Sequence, residues 1–302
     1  MNLHHDKEAF KELIIGAANE LAIPGNIIEK DYYVTLILRK LSQIEYPVVF
    51  KGGTSLSKAY NVIDRFSEDI DITFTEHLGD KKRKKLKYNV LKPISEKLRL
   101  KISNWEYIES DKNLNHYDFC YESVINEGGI IPAYVKLETS LMMYSFPTNN
   151  CKISNYLYDI LNTSQKDIFE KYSLLPFEMR VQSLERTLID KVFAVCDYYL
   201  LKKSRKNARH LYDIYKLQKH VNYDEGFLEL VQKVREQRIA LGEKIAPEAN
   251  LNVNIKLLAE EVCESDFYKS DYDDTTVFMI SEKVSYETVK RNYLDVVKKI
   301  WK

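Results

Sequence analysis

The sequence predicts an α+β protein in which a lobe built on a mixed sheet, residues 1–182, is followed by a mainly helical lobe, residues 183–302. Three observations predict it. Two amphipathic helical patterns open the chain, strand-like alternation and short apolar runs mark the stretch from Val48 to Gln182, and helical periodicity dominates after Ser183.

The first helix is read from Phe10, Leu13, Ile14, Ala17 and Leu21, which recur at helical spacing until Pro24 and Gly25 break the pattern. Asn26 and Glu29 then form an Asn-x-x-Glu start with the logic of a capping box, ahead of a face carrying Ile27, Val34, Leu38 and Leu41. After Pro47, Val48-Val49-Phe50 reads as a buried strand ended by Gly52-Gly53. Thr54 is placed to cap a helix carrying Leu56, Tyr60 and Ile63. Asp69 to Phe74 alternates polar and apolar residues with the strand period of two. A charged run from Lys81 to Lys87 leads into helical sequence through Leu98, and Leu100 to Tyr121 suits strands with turns. Asn126 to Gly129 signals a turn, Ala133 to Met143 a long strand, Pro147 to Asn150 a turn-rich break, and Glu178 to Gln182 a short strand. Long helices are expected over Leu184–Leu201, Ala208–His220 and Tyr286–Trp301. The sequence shows no internal repeat and no low-complexity segment.

Bulk composition narrows the function classes. With 302 residues, 45% hydrophobic and 30% charged, the chain suits a soluble globular protein and not a disordered one. A net charge of +0 gives no global field toward nucleic acid or membrane, so any such binding needs a local patch. Cys120, Cys151, Cys196 and Cys263 are scattered without a CxxC pair, which fits reduced thiols better than a zinc site. The opening MNLHHDKEAFKELIIG does not read as a signal peptide, and no run approaches the ~18 apolar residues of a spanning helix. The cytoplasm is the expected compartment, with no membrane partner.

The chemistry concentrates in KGGTSLSKAYNVIDRFSEDIDITF, Lys51 to Phe74. Gly52 and Gly53 let backbone N–H groups approach a phosphate at a helix start, and Thr54 and Ser55 add hydroxyl donors. A P-loop is excluded, because the two glycines are adjacent and none precedes Lys58. Asp69 and Asp71 fall on one face of their strand while Ile70 and Ile72 face the other way. Two carboxylates so close need a neutralising charge, and Mg²⁺ takes a few carboxylates together with substrate phosphates. A pair of such ions can activate an attacking hydroxyl and stabilise leaving pyrophosphate. Glu138, in Tyr134-Val135-Lys136-Leu137-Glu138, supplies a third carboxylate if its strand neighbours that of Asp69. Either motif alone is common on ordinary strands and turns; the order of strand, Gly-Gly, helix and Asp-x-Asp strand is much more specific.

That order resembles the nucleotidyltransferase superfamily related to DNA polymerase β, and GGTSLSK followed by RFSEDIDI resembles its AbiEii/AbiGii toxin family. Glu29-Lys30-Asp31-Tyr32-Tyr33, Leu184-Glu185-Arg186-Thr187 with Lys191, and Arg209-His210-Leu211-Tyr212-Asp213 agree in order, so the resemblance covers residues 20 to 220. It implies a polymerase β-like nucleotidyltransferase lobe and a helical lobe closing the nucleotide cleft. It further implies an enzyme that moves a nucleoside monophosphate from an NTP to an acceptor. Ser67, Asp69 and Asp71 would form the first catalytic motif, with Mg²⁺, or alternatively Mn²⁺, on Asp69, Asp71 and Glu138. Gly52, Gly53, Thr54 and Ser55 would line the triphosphate. Lys191 and Arg209 would meet the nucleotide, and Lys191 and Asp213 would serve catalysis. His210 stands where the family often has an acidic residue, so no role is carried over to it. Members act as toxins of type IV toxin–antitoxin and abortive-infection systems in phage defence. The resemblance therefore implies a cognate antitoxin that need not touch the toxin, and tRNA, not DNA, as the acceptor.

Each residue has an ordinary rival reading. Lys191 could be a solvated helical lysine, and Asp213 a surface partner of Arg209 four residues earlier. Glu29 and Asp31 could only support the fold. His4, His5, His77, His116 and His220 have no ligand spacing. The basic runs Lys81–Lys85 with Lys87, and Lys202-Lys203, Arg205-Lys206 and Arg209, suit solvated faces, or phosphates of a nucleic-acid acceptor if they border the site. Two further functions keep the same fold: nucleotidylation of a protein or small molecule, and NTP or partner binding without catalysis. The intact Asp pair argues against the second.

Overall fold

A computed structural model describes residues 2–76, 78–109, 112–125, 131–141, 146–160 and 166–301. The expected turn at 126–129 and the end of the strand expected to reach Met143 lie outside the described residues, as does His77. The chain forms two compact units, Met1–Ala59 with Glu68–Val181, and Tyr60–Ser67 with Gln182–Lys302.

The first unit opens with helix α1, Lys7–Leu21, whose N-cap Asp6 accepts the Ala9 N–H at 3.3 Å. Ala22, in the left-handed region at φ 53°, ends it. Helix α2, Gly25–Ser42, starts directly after Pro24 and has no side-chain cap. The expected Asn26–Glu29 capping box does not form. Glu29 is buried and accepts the Val124 N–H at 2.8 Å and the Ser123 hydroxyl instead, because a tertiary partner outcompetes the local one.

Among the described residues, seven strands form one mixed sheet: β1 Val48–Lys51, β2 Ile70–Phe74, β3 Lys101–Ile102, β4 Leu114–Cys120, β5 Tyr134–Ser140, β6 Thr148–Ile153 and β7 Phe177–Gln182. Their spatial order is β3-β4-β5-β2-β1-β7-β6. β2 pairs antiparallel with β1 and parallel with β5, so the Asp-x-Asp segment runs into the central strand of the sheet. Ile70, Ile72, Val135 and Leu137 are fully buried, as the alternation requires. β6 falls where Pro147–Asn150 predicts a break. It is an edge strand with Asn149, Asn150 and Lys152 exposed, so polarity concealed it.

Between β1 and β2, helix α3 spans Gly52–Lys58. The spacing predicts helix through Ile63, but Asn61 adopts φ 52° and the chain leaves the helical path. Helices α4, Asp80–Lys85, and α5, Lys92–Leu98, are joined by a π-helical segment, Leu86–Leu91. Helices α6, Tyr156–Ile160, and α7, Lys166–Tyr172, precede β7.

The second unit is helical: α8 Leu184–Leu200, α9 Arg209–Leu217, α10 Glu225–Ile239, α11 Pro247–Asn250, α12 Ile255–Glu264, α13 Lys269–Asp274 and α14 Tyr286–Ile300. Ser183, Asp224, Asn254 and Ser285 cap α8, α10, α12 and α14 with their side chains. Leu188, Val192, Leu211, Ile214, Val289 and Val296 build its core. Below them, buried Asp197 pairs with Arg238, which also bonds Glu248 at 2.7 Å. Tyr60–Ser67 is stitched into this unit: Phe66 N–H donates to Met279 O at 3.1 Å and Ser281 N–H to Asp64 O at 3.0 Å.

Candidate active site

Strand register assembles the first part of the site. Asp71 lies opposite Lys51 on β1 and opposite Glu138 on β5, and Glu138 lies opposite His116 on β4. One step along, Lys136 lies opposite Asp118. Because side chains alternate, Asp71, Glu138 and Lys136 share one face, with Asp69 two residues before Asp71 extending it. The expectation that the Glu138 strand neighbours the Asp69 strand is met. Adjacent strands stand ~4.8 Å apart, so Asp71 and Glu138 are like charges in direct juxtaposition.

Lys136 sits in this acidic field. Its Nζ lies 2.5 Å from Glu138 Oε1, with both side chains about one-third exposed at 33% and 32%. Burial alone would lower its pKa, but the Glu138 hydrogen bond and the charges of Glu138, Asp69 and Asp71 raise it. Tyr134 is pushed up by burial and then by Asp118, Asp69 and Glu68.

The Gly-Gly turn is shaped by Asp71. Gly52 has φ +79°, and a Cβ there would lie 2.0 Å from Asp71 Oδ2. Glycine is therefore required twice, for conformation and for space. Thr54 and Ser55 are buried and donate to backbone carbonyls, Thr54 to Asp69 O at 2.5 Å and Ser55 to Gly52 O at 2.8 Å. The Thr54 hydroxyl holds the turn against the strand, and that of Ser55 closes on the turn's own backbone.

This donor set fits a hard divalent cation. The oxygens are carboxylate, the glycine leaves a cradle at Asp71, and a lysine ammonium already stands among the acids. Among the described residues, no three His, Cys, Asp or Glu side chains are gathered at metal-ligand spacing. Asp69, Asp71 and Glu138 are the residues that would hold such an ion.

The Glu29–Tyr33 motif supports this region. Buried Lys30 contacts Glu68 at 2.6 Å and Pro132 O at 3.1 Å. Asp31 pairs with Lys58 at the end of α3 and accepts the Tyr156 N–H at 3.0 Å. Helix α2 thereby holds both the Gly-Gly helix and the residue before Asp69.

The second unit brings Lys191 and Asp213 together. Asp213 is fully buried and accepts Lys191 Nζ at 2.6 Å, with Arg65 bidentate at 2.7 and 2.8 Å. The surface pairing of Asp213 with Arg209 is thus replaced by a buried triad. Burial opposes ionisation of Asp213, but Arg65 and Lys191 hold its carboxyl well below the usual range. Burial lowers Lys191, with Arg65 and Arg209 adding to the effect and Asp213 opposing it. His210 is pushed well down by burial and by Lys191 and Arg209, and it stacks on Tyr198 at 5.7 Å. Arg209 and Ser67 are half-buried. Arg65 is the residue the motif reading left without a role; its place in RFSEDIDI was the available signal.

The basic runs separate. Lys82 and Lys85, with Lys40 and Lys97, line an open cavity of ≈670 Å³ in the first unit, beside Tyr46 and Pro47. Lys202 to Arg209 forms the turn between α8 and α9, fixed by Asp271, which accepts the Lys206 and Ala208 N–H groups at 2.6 and 2.9 Å. No helix among the described residues is long and apolar enough to cross a membrane.

Comparison with known proteins places the chain. The family model for the nucleotidyl transferase AbiEii toxin of type IV toxin–antitoxin systems matches residues 36–288. No curated protein sequence matches. Among solved structures, MenT4, a nucleotidyltransferase toxin of Mycobacterium tuberculosis H37Rv, is similar at 14% identity and TM-score 0.46, over 96% of this chain and 88% of that one.

Proposed function

The chain belongs to the AbiEii family of nucleotidyltransferase toxins of type IV toxin–antitoxin systems, and on that premise we propose that it transfers a nucleoside monophosphate from an NTP to tRNA. The observation that carries the reading is the carboxylate face of Asp69, Asp71 and Glu138 butted by Gly52. In the reaction, an acceptor hydroxyl gives up its proton to solvent and attacks the α-phosphorus, the bond from that phosphorus to the β-bridging oxygen breaks, and pyrophosphate leaves. Asp69 and Asp71 would hold Mg²⁺, which when bound supplies Lewis-acid stabilisation of phosphate charge. The Gly52-Gly53 backbone is free of side chains and can approach the triphosphate closely. From the second unit, Lys191 and Arg209 are assigned to phosphate charge, with Asp213 setting the position of the Lys191 ammonium. Ser67 completes the first motif.

A nucleic-acid acceptor is supported by the lysine-lined cavity, whose lysines outnumber its glutamates by four to two. The cognate antitoxin is assigned an action that requires no contact with the toxin. The test incubates purified protein with total RNA, Mg²⁺ and each α-labelled NTP, beside Asp69→Ala. Label on tRNA-sized RNA from one NTP, absent with Asp69→Ala, is the expected result. Pyrophosphate release with label on protein alone would move the acceptor to a protein, and neither product would remove the transfer reading.

A further inference from the structure

The acidic face contains a cation of its own. Glu138 and Asp71 are paired directly across β5 and β2, an arrangement that repels unless a positive charge intervenes. Lys51 lies opposite Asp71 on β1, and Lys136 supplies the charge at Glu138: its ammonium is bonded to Glu138 at 2.5 Å from the same strand and the same face. Its cross-strand neighbour on the other side is Asp118, so Lys136 is set between β4 and β2 carboxylates. A divalent ion reaching Asp69 and Asp71 would find the third carboxylate taken and an ammonium close by. Two cations sharing that space repel each other.

We propose that Lys136 is a resident counter-cation that competes with the metal, giving up Glu138 when a divalent ion engages Asp69 and Asp71. Metal loading and release of the Lys136 ammonium are then one coupled event. Lys136 is a positioning residue here: it acts on Glu138, and through it on completion of the metal site. The proposal rests on the metal assignment above, and its test keeps the two apart.

The test measures Mn²⁺ binding by electron paramagnetic resonance on the full chain without nucleotide, for wild type, Lys136→Met, Lys136→Arg and Asp71→Asn. In parallel, the rate at which an amine-reactive ester acylates Lys136 is followed by peptide mass spectrometry with and without Mn²⁺. Removing the competing charge should tighten Mn²⁺ binding about three- to tenfold in Lys136→Met. Lys136→Arg should stay near wild type, and Mn²⁺ should speed acylation of Lys136 in the wild-type protein. Thermal melting confirms folding, which the one-third exposure of this side chain favours. A merely structural ion pair makes the opposite prediction: Mn²⁺ binding unchanged or weakened in Lys136→Met, with acylation indifferent to Mn²⁺. That result overturns the counter-cation role and leaves the metal site standing. Wild-type protein that binds no Mn²⁺, or binds it equally well as Asp71→Asn, overturns the metal assignment and this proposal with it.

Discussion

The two units hold charge in opposite ways. On the sheet face of the first, four carboxylates, Asp69, Asp71, Asp118 and Glu138, meet two ammonium groups, Lys51 and Lys136, and the cluster is half-exposed. In the second, Arg65 and Lys191 hold the single carboxylate of Asp213, which is fully buried. One cluster is short of positive charge and open to solvent; the other has positive charge to spare and is locked by hydrogen bonds. An anionic surplus suits cation binding, and a cationic surplus suits phosphate. The open cluster is built to change its partners, the closed one to keep them.

That contrast predicts different responses to the same kind of mutation. The largest effect is expected at the open cluster on activity alone. Asp71→Ala should lower nucleotide transfer by on the order of 10³-fold or more, since a catalytic metal supplies several kcal/mol. The melting temperature should hold or rise, because a like-charge contact with Glu138 is removed. A fall in stability matching the fall in rate would show that Asp71 is structural. At the closed cluster the order reverses. Arg65→Ala strips Asp213 of its bidentate partner and should cost about 3–5 kcal/mol in denaturant unfolding. Arg65→Ala/Asp213→Ala should lose less than the two single losses added, as coupled partners do. Additive losses would break the triad.

Gly52→Ala tests the join between turn and carboxylate. Its Cβ would meet Asp71 Oδ2 at 2.0 Å, and φ is +79°. The conformational cost is about 1–2 kcal/mol. The displaced carboxylate should lower transfer about 10²-fold, the scale of a misplacement near 1 Å. Stability loss with activity intact would mean that Asp71 tolerates the shift.

How far the sequence could be read follows the same division. The open cluster was legible because it is local: period two puts Asp69 and Asp71 on one face, and Glu138 follows from its own strand two residues after Lys136. What the pattern could not supply was register, so the contact of Lys136 with Glu138 and its nearness to Asp71 emerge only once β2 and β5 are paired. The closed cluster was half-legible. Lys191 and Asp213 stand in recognisable segments, but the Arg65–Asp213 bond joins residues 148 positions apart, and nothing local marks it. The same reason hides the ligands of Glu29, 94 and 95 residues away. Helix α3 ended early because a single residue, Asn61, turns left-handed, and β6 escaped notice because an edge strand need not be apolar.

Acid sharpens the contrast. Asp213 has a folded pKa below its unfolded value of ~3.9, so it contributes stability above that value and loses it as pH falls through the depressed one. Wild-type protein should therefore keep this contribution through pH 4 in melting experiments. Arg65→Ala lets the Asp213 pKa climb back, so its acid loss should begin at higher pH than in wild type. Identical acid limbs for the two proteins would dissociate Asp213 from Arg65.

The smallest effect belongs to the lysine-lined cavity, which the β1–β2 hairpin ties to the open cluster. Tyr46 and Pro47 precede Val48, and Glu76 follows Phe74, and Val48 and Phe74 pair at that end of the hairpin. Asp71 pairs with Lys51 at the other end, three residues along, a separation of about 10 Å at ~3.3 Å per residue. An extended single strand can reach across that distance while its hydroxyl lies at the carboxylates. Each lysine that neutralises one phosphate releases counterions, so removing it lowers the slope of log affinity against log salt by about 0.7 for single-stranded RNA. Lys82→Ala/Lys85→Ala, read by fluorescence anisotropy with tRNA, should thus flatten the slope by about 1.4. NTP binding should stay unchanged. An unaltered slope would take the acceptor away from this cavity and leave the transfer chemistry at Asp69 and Asp71 untouched.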